Sequence, residues 1–411
     1  MEEWIMTQAA FDRLWSRVQG SESPAPPQDD ATALRRFLDE KRYLPVCEAI
    51  RAGSVFPLPR KSVVAKMGTD KKRVVYTYPK DENTVLKLLT WLILRKYDGL
   101  FCDRLYSFRP GMTAKDAVRR LLKTKNIREM YSYKVDIHDY FNSIPVERLL
   151  PMLKTALADD ERLYGFLSRL LTEPRVRDRG RIVTERKGIM AGTPLSSFYA
   201  NLYLSGLDGL FQKAGTVYAR YSDDIIVFAS DENGARAHAE TIRAYLSAYG
   251  LEVNPKKECF GKPDEGFVFL GFSCVGDRAD IAPATVKKLK QKMRRKRDAL
   301  ARWRKRNGIG GEKAAKAFVR IFNRKLLEAP GDHELSWSSW FFPVISTADS
   351  LHEIDLYAQD CLRYLIAGTH TKARFNVRYD DLKALGYRSL VHEYYSSADP
   401  DRKESRTDLL E

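Results

Sequence analysis

The sequence predicts an α+β fold in which an open sheet carries helices on one face. Three observations lead there. Strand and helix patterns alternate between about 131 and 275, a basic β-branched stretch precedes them, and beyond 283 the chain turns helical and strongly basic. With 44% hydrophobic residues over 411 positions, a large core spread over two or three domains is expected.

In chain order, residues 1–20 read as a short amphipathic helix, and SESPAPPQDD over 21–30 is a Pro/Ser/Asp-rich linker that cannot continue it. Ser62-Val-Val-Ala-Lys66 and Lys71-Lys-Arg-Val-Val-Tyr-Thr-Tyr78 predict basic strands. A long helical pattern follows through Leu86, Leu89, Leu92 and Ile93. Next come a strand at Tyr133–Ile137, a helix near 146–171, a hairpin centred on Asp178-Arg-Gly180 and a helix from about Leu195. A strand pair then brackets Ser222, Asp223 and Asp224, with a helix across 233–249 and a short strand at 267–271. From about Ser396 the chain is polar and expected to fray.

The formal net charge of +16 points to a polyanionic partner, nucleic acid ahead of an anionic membrane surface. No stretch has the uninterrupted apolar length of a membrane span, and the start MEEWIMTQAAFDRLW is acidic and amphipathic rather than signal-like. A cytoplasmic protein is expected. Cys47, Cys102, Cys259, Cys274 and Cys361 are scattered without CxxC spacing, which indicates neither a zinc knuckle nor a disulfide framework. The six histidines are equally dispersed.

Two adjacent carboxylates interrupt the apolar run Arg220-Tyr-Ser-Asp-Asp-Ile-Ile-Val-Phe228. Buried like charges need a compensating cation, either arginine or a bound metal. A hairpin tip could simply solvate them. A second acidic strand end exists at Lys134-Val-Asp136-Ile-His-Asp139, and if the two strands lie side by side three carboxylates converge. Such an oxygen-rich site suits Mg²⁺, and two ions there would serve an in-line displacement at phosphorus. Metal rather than arginine is the expected partner.

The order of motifs from about Lys66 to Phe272 resembles that of reverse transcriptases. The boxes are Ser107-Phe-Arg-Pro-Gly111, VDIHDYF from Val135, Gly188-Ile-Met-Ala-Gly-Thr-Pro-Leu-Ser-Ser197 running into FYANLYL, the YSDD box, Gly250-Leu-Glu-Val-Asn254-Pro-Lys-Lys257 and Phe269-Leu-Gly-Phe272. The resemblance implies a right-hand polymerase fold with an antiparallel palm sheet and a helical thumb. Its domains would be an N-terminal helix and linker (1–30), fingers (31–130), palm with part of the fingers inserted (131–275), a basic thumb and C-terminal extension (276–395) and a polar tail (396–411). It further implies that Asp136, Asp223 and Asp224, with the Ile137 carbonyl, hold two Mg²⁺ ions, or Mn²⁺ in their stead. Phe141 would exclude a 2′-hydroxyl, Arg73 and Lys66 would grip the triphosphate near Gly192, and Lys257 would protonate the leaving pyrophosphate while Asn254 fixes its turn. Arg109 and Tyr221 are implied nucleic-acid contacts. Arg73 can also be read as a solvated strand charge, and Phe141 and Tyr221 as core aromatics. One departure stands out: related group II intron enzymes read Pro-Gln-Gly where this chain has Met190-Ala191-Gly192.

Over 284–306 apolar Val286, Leu289, Met293, Leu300 and Trp303 suggest one helix face, and most other positions are Lys or Arg. Charge of one sign repels itself at i,i+4, so Lys288, Lys292, Arg295 and Arg302 are read as phosphate contacts. Aromatics interleaved with arginine over 337–343 and 363–388 suit either RNA stacking or core. The compact layout is most similar to stand-alone bacterial reverse transcriptases of antiphage defence. That likeness implies a dedicated noncoding RNA template, dNTP substrates, a DNA product and no membrane, with a homo-oligomer open. Untemplated DNA synthesis and an RNA-binding maturase or scaffold are the alternatives.

Overall fold

The computed structural model describes residues 35–65, 72–185, 188–328 and 336–398. The expected N-terminal helix, the linker, Lys66 and the polar tail beyond Ala398 lie outside them. The described residues divide into two compact units, one ending at Leu270 and the other beginning at Gly271.

In the first unit, strands β1 (Arg60–Ala65) and β2 (Lys72–Thr77) pair antiparallel from Arg60↔Thr77 onward. Their valines suit a pleated surface. Helix α1 (Lys80–Lys96) buries the expected Leu86, Leu89, Leu92 and Ile93, and also Val85, Leu88, Thr90 and Leu94, so it is enclosed on more than one face. After it come β3 (Tyr131–Asp136), the four-residue helix α2 (Tyr140–Ser143), α3 (Val146–Ala156), α4 (Glu161–Thr172) and the hairpin β4 (Arg175–Asp178) and β5 (Arg181–Thr184). The single helix expected near 146–171 is therefore two. Asp160 starts the second, its carboxylate accepting the Leu163 amide at 3.0 Å, an N-cap that competes with helix continuation. The helix expected from Leu195 also breaks, into α5 (Ser196–Tyr203) and α6 (Ser205–Lys213) at Leu204.

The sheet that matters most runs β6–β7–β3–β8, with β6 (Tyr218–Tyr221), β7 (Asp224–Ala229) and β8 (Cys259–Gly261) all antiparallel to their neighbours. Tyr133, Val135, Tyr218, Ile225, Ile226, Val227 and Phe228 are buried in it. Helix α7 (Glu232–Ala248) covers it through Ala235, Ala239, Ile242 and Leu246. A second sheet, β2–β1–β4–β5, carries the basic strands. The short strand β9 (Phe267–Phe269) sets Phe267 edge-on to Phe228 at 5.1 Å.

In the second unit, β10 (Phe272–Val275) and β11 (Arg278–Ile281) form a hairpin. Helices α8 (Pro283–Asn307), α9 (Gly311–Leu326) and α10 (Asp349–Ala367) pack on one another. Val286, Leu289, Met293 and Leu300 are the buried face of α8. The buried Asp355 carboxylate accepts the Tyr387 hydroxyl and the amides of Leu390 and Val391, capping a last helix, Leu390–Ala398. That helix carries regular structure past Ser396, where fraying was expected. Of the two aromatic clusters, the first belongs to the core: Phe341 is buried, 5.0 Å from Phe272 and 4.7 Å from Trp337. Phe375 is exposed, with the Arg374 and Arg363 guanidiniums 4.4 and 5.8 Å from its ring. No described helix is long and apolar enough to cross a membrane.

Candidate active site

Apolar residues of β3 and β7 drive the two strands together in the middle of the sheet, and the register then fixes their acidic ends. Tyr131 pairs with Ala229 and, five residues on, Asp136 pairs with Asp224. Register partners project to the same face. Asp223 occupies the β6–β7 loop beside them, and its carbonyl accepts the Ile137 amide at 3.1 Å. The three carboxylates are thus neighbours. Burial first, then the charges of Asp136 and Asp224, push the Asp223 carboxyl up to about 6. Burial also raises Asp224, against the pull of Lys134.

Lys257 reaches this cluster from the turn after Asn254. Its ammonium lies 2.5 Å from Asp136 Oδ2, while Asn254 donates its side-chain amide to Asp136 Oδ1 at 3.3 Å and its backbone amide to the Asp136 carbonyl at 2.8 Å. Burial lowers the Lys257 ammonium, and the bond to Asp136 more than offsets that, leaving it raised. Among the described residues no group of three His, Cys, Asp or Glu side chains forms a ready metal cage. The donor chemistry nevertheless fits a divalent ion: three hard oxygen donors repel one another and already hold a cation, the Lys257 ammonium.

Arginine enters at a separate point. Arg220 does not face the carboxylates. It is fully buried and grips Asp208, also fully buried, through Nε to Oδ1 at 2.7 Å and Nη2 to Oδ2 at 2.6 Å. Its Nη1 donates to the Ser222 carbonyl at 3.1 Å. Ser222 has φ 59°, the left-handed region where glycine is at ease and serine is not. Its amide is held as well, donating to Ser107 Oγ at 2.8 Å, and Ser107 in turn exchanges hydrogen bonds with the buried Asn201. A closed polar network therefore holds the strained residue next to Asp223 in place. Ser107, Asn201, Asp208 and Ser222 escaped the sequence reading as functional residues. The signal was available, because Ser107 and Asn201 stand inside recognised boxes and Asp208 is an acid in an otherwise apolar helix face.

The glycine turn lies between α2 and β2. The Ile189 amide donates to the Phe141 carbonyl at 2.9 Å and the Tyr76 amide of β2 donates to the Ala191 carbonyl at 2.9 Å. Phe141 is half-buried, edge-on to Tyr140 at 5.7 Å, and Gly192 has φ 101° against Val75 and Tyr76. Arg73 is exposed on β2. Tyr221 is partly buried. Arg109 corrects an expectation: only 6% of its side chain is exposed, and the guanidinium binds the Asp98 carboxylate at 2.7 and 2.9 Å and the Cys102 carbonyl at 2.6 Å. Those bonds satisfy its donors inside the protein, so it is not a nucleic-acid contact. In the second unit Lys288, Lys292, Arg295 and Arg302 are all exposed.

A family profile described as "Reverse transcriptase (RNA-dependent DNA polymerase)" matches residues 61–274, about half of the chain. No curated protein matches the chain. Among solved structures, apo telomerase from Candida tropicalis truncated from its C-terminal domain aligns at 12% identity and TM-score 0.45 over 55% of each chain. Telomerase from Candida albicans with a TWJ fragment of telomeric RNA aligns at 11% identity and TM-score 0.44, over 82% of this chain and 67% of that one. The chain thus spans little more than half the length of the first.

Proposed function

Since the chain belongs to the reverse transcriptase (RNA-dependent DNA polymerase) family and so has the right-hand polymerase fold, we propose that it copies an RNA template into DNA, adding deoxynucleotides to a 3′-hydroxyl at the Asp136–Asp223–Asp224 cluster. One observation carries the reading. Asp136 and Asp224 are register partners with Asp223 in the adjoining loop, which leaves three mutually repelling carboxylates together at the ends of the two central strands.

Asp136, Asp223 and Asp224 would hold two divalent ions, Mg²⁺ by donor type, which when bound acidify the attacking hydroxyl and stabilise the departing pyrophosphate. Lys257, protonated and already at Asp136, is positioned to give a proton to that leaving group. Phe141 limits the sugar pocket, favouring dNTPs over NTPs, and exposed Arg73 meets the triphosphate. Residues 31–130, 131–275 and 276–395 then act as fingers, palm and thumb, the exposed cations of α8 following the template–product duplex. A dedicated noncoding RNA template, a cytoplasmic site and a role in antiphage defence extend this reading.

A second reading, untemplated addition, has one observation in its favour. Ala191, standing where related enzymes carry glutamine, is buried and offers the nucleotide no polar side chain. The test is to purify the protein with its co-eluting nucleic acid, add Mg²⁺ and labelled dNTPs, and sequence both RNA and new DNA. DNA complementary to one RNA supports the main reading. DNA without a matching template supports the second, and RNA bound without any synthesis refutes both and leaves an RNA scaffold.

A further inference from the structure

We infer that Gly188 is a positioning residue for Phe141, setting the height of the sugar-excluding ring through direct backbone contact. This rests on the polymerase reading above. Gly188 has φ 42° and comes against the backbone of α2 more closely than any other described glycine comes against its surroundings. A Cβ at this position would overlap the Phe141 carbonyl oxygen and lie 2.6 Å from the Asn142 carbonyl carbon and 2.7 Å from its Cα. These are backbone atoms, which cannot rotate away as a side-chain tip does. Any larger residue must therefore displace the turn or α2.

The same contact is fastened by a hydrogen bond. The next residue, Ile189, donates its amide to that Phe141 carbonyl at 2.9 Å. From the other direction the turn is tied to β2, where the Tyr76 amide bonds the Ala191 carbonyl and a Cβ on Gly192 would come within 3.1 Å of the Tyr76 carbonyl oxygen. Ile189 itself is buried and borders a cavity of about 20 Å³ with Tyr78, Leu170, Thr193 and Tyr199. The turn is tied to both β2 and α2, so the position of Phe141 follows from the absence of a side chain at 188.

The test is the ratio of NTP to dNTP incorporation, measured on one preparation so that the fraction of folded enzyme cancels. Phe141→Ala should raise the ratio most. Gly188→Ala should raise it by about tenfold, well inside the roughly hundredfold effect of a 1 Å misplacement at a reacting centre. Gly209→Ala, on α6 with nothing within 4 Å of the added carbon, should leave it unchanged. Should Gly188→Ala fail to fold, Ile189→Ala carries the same test, because the truncated side chain lets the turn settle into the cavity and away from α2. A ratio moved by Phe141→Ala but by neither Gly188→Ala nor Ile189→Ala overturns the inference alone. A ratio unmoved by Phe141→Ala overturns it together with the gate. Wild-type protein that makes no DNA at all refutes the polymerase reading itself, which is a separate result.

Discussion

Arg220 in the first unit and the cations of α8 in the second have opposite uses. In the first, Arg220 is fully buried, bidentate to an equally buried Asp208, and its remaining donors reach backbone carbonyls. In the second, Lys288, Lys292, Arg295 and Arg302 stand exposed on α8. A desolvated cation must be matched atom for atom by its surroundings, so Arg220 is part of the fold. A solvated one costs little where it is and remains free to meet phosphate. The +16 charge of the chain is therefore informative only after its buried cations are set aside.

The sharpest break would come from the carboxylates that sit between these extremes. Asp223→Ala combined with Asp224→Ala should abolish DNA synthesis while RNA affinity stays within a few-fold, measured by primer extension and filter binding. Retained synthesis would remove the catalytic assignment. Next in size, Arg220→Met or Asp208→Leu alone should destabilise the protein by about 3–5 kcal/mol in denaturant unfolding, each leaving an unpaired buried charge. The double variant should recover much of that stability and little synthesis, because Ser222 still loses the donor to its carbonyl. Equal losses from single and double variants would show that the pair does not act as a unit.

Changing Lys288, Lys292, Arg295 and Arg302 together to alanine should do the reverse. Stability should move by no more than about 1 kcal/mol, while RNA affinity falls and the log–log salt slope shrinks by about 3 units if all four meet phosphate. An unchanged slope would make them a solvated face. The smallest effect is expected from Asp223→Asn. With chelator present it should raise the thermal midpoint by about 1–2 °C, since it removes one of three adjacent like charges. A lowered midpoint would mean that the cluster is held by attraction instead.

Local pattern made most elements readable. The β-branched runs, the apolar spacing of α1 and α7 and the acidic strand ends all follow from residues within a few positions of one another. What was misread shows where local pattern fails. The apolar spacing across 146–171 continues through Asp160, and whether that residue caps or continues a helix depends on where α4 must pack. Arg109 looked like a nucleic-acid contact because a sequence shows a charge and not its exposure.

The motif order, the three aspartates and the single sign of charge on α8 are properties of the chain read in one dimension, since each depends on neighbours or on a repeat. The turn that presents Asp223 is different. Ser222 is held by Ser107, 115 positions earlier, Ser107 by Asn201, 94 positions later, and Arg220 by Asp208 on a helix. Hydrogen bonds over such separations leave no periodicity to read, and each of these polar groups could have been satisfied equally well by water. Removal of water when the core closes is what made those partners obligatory.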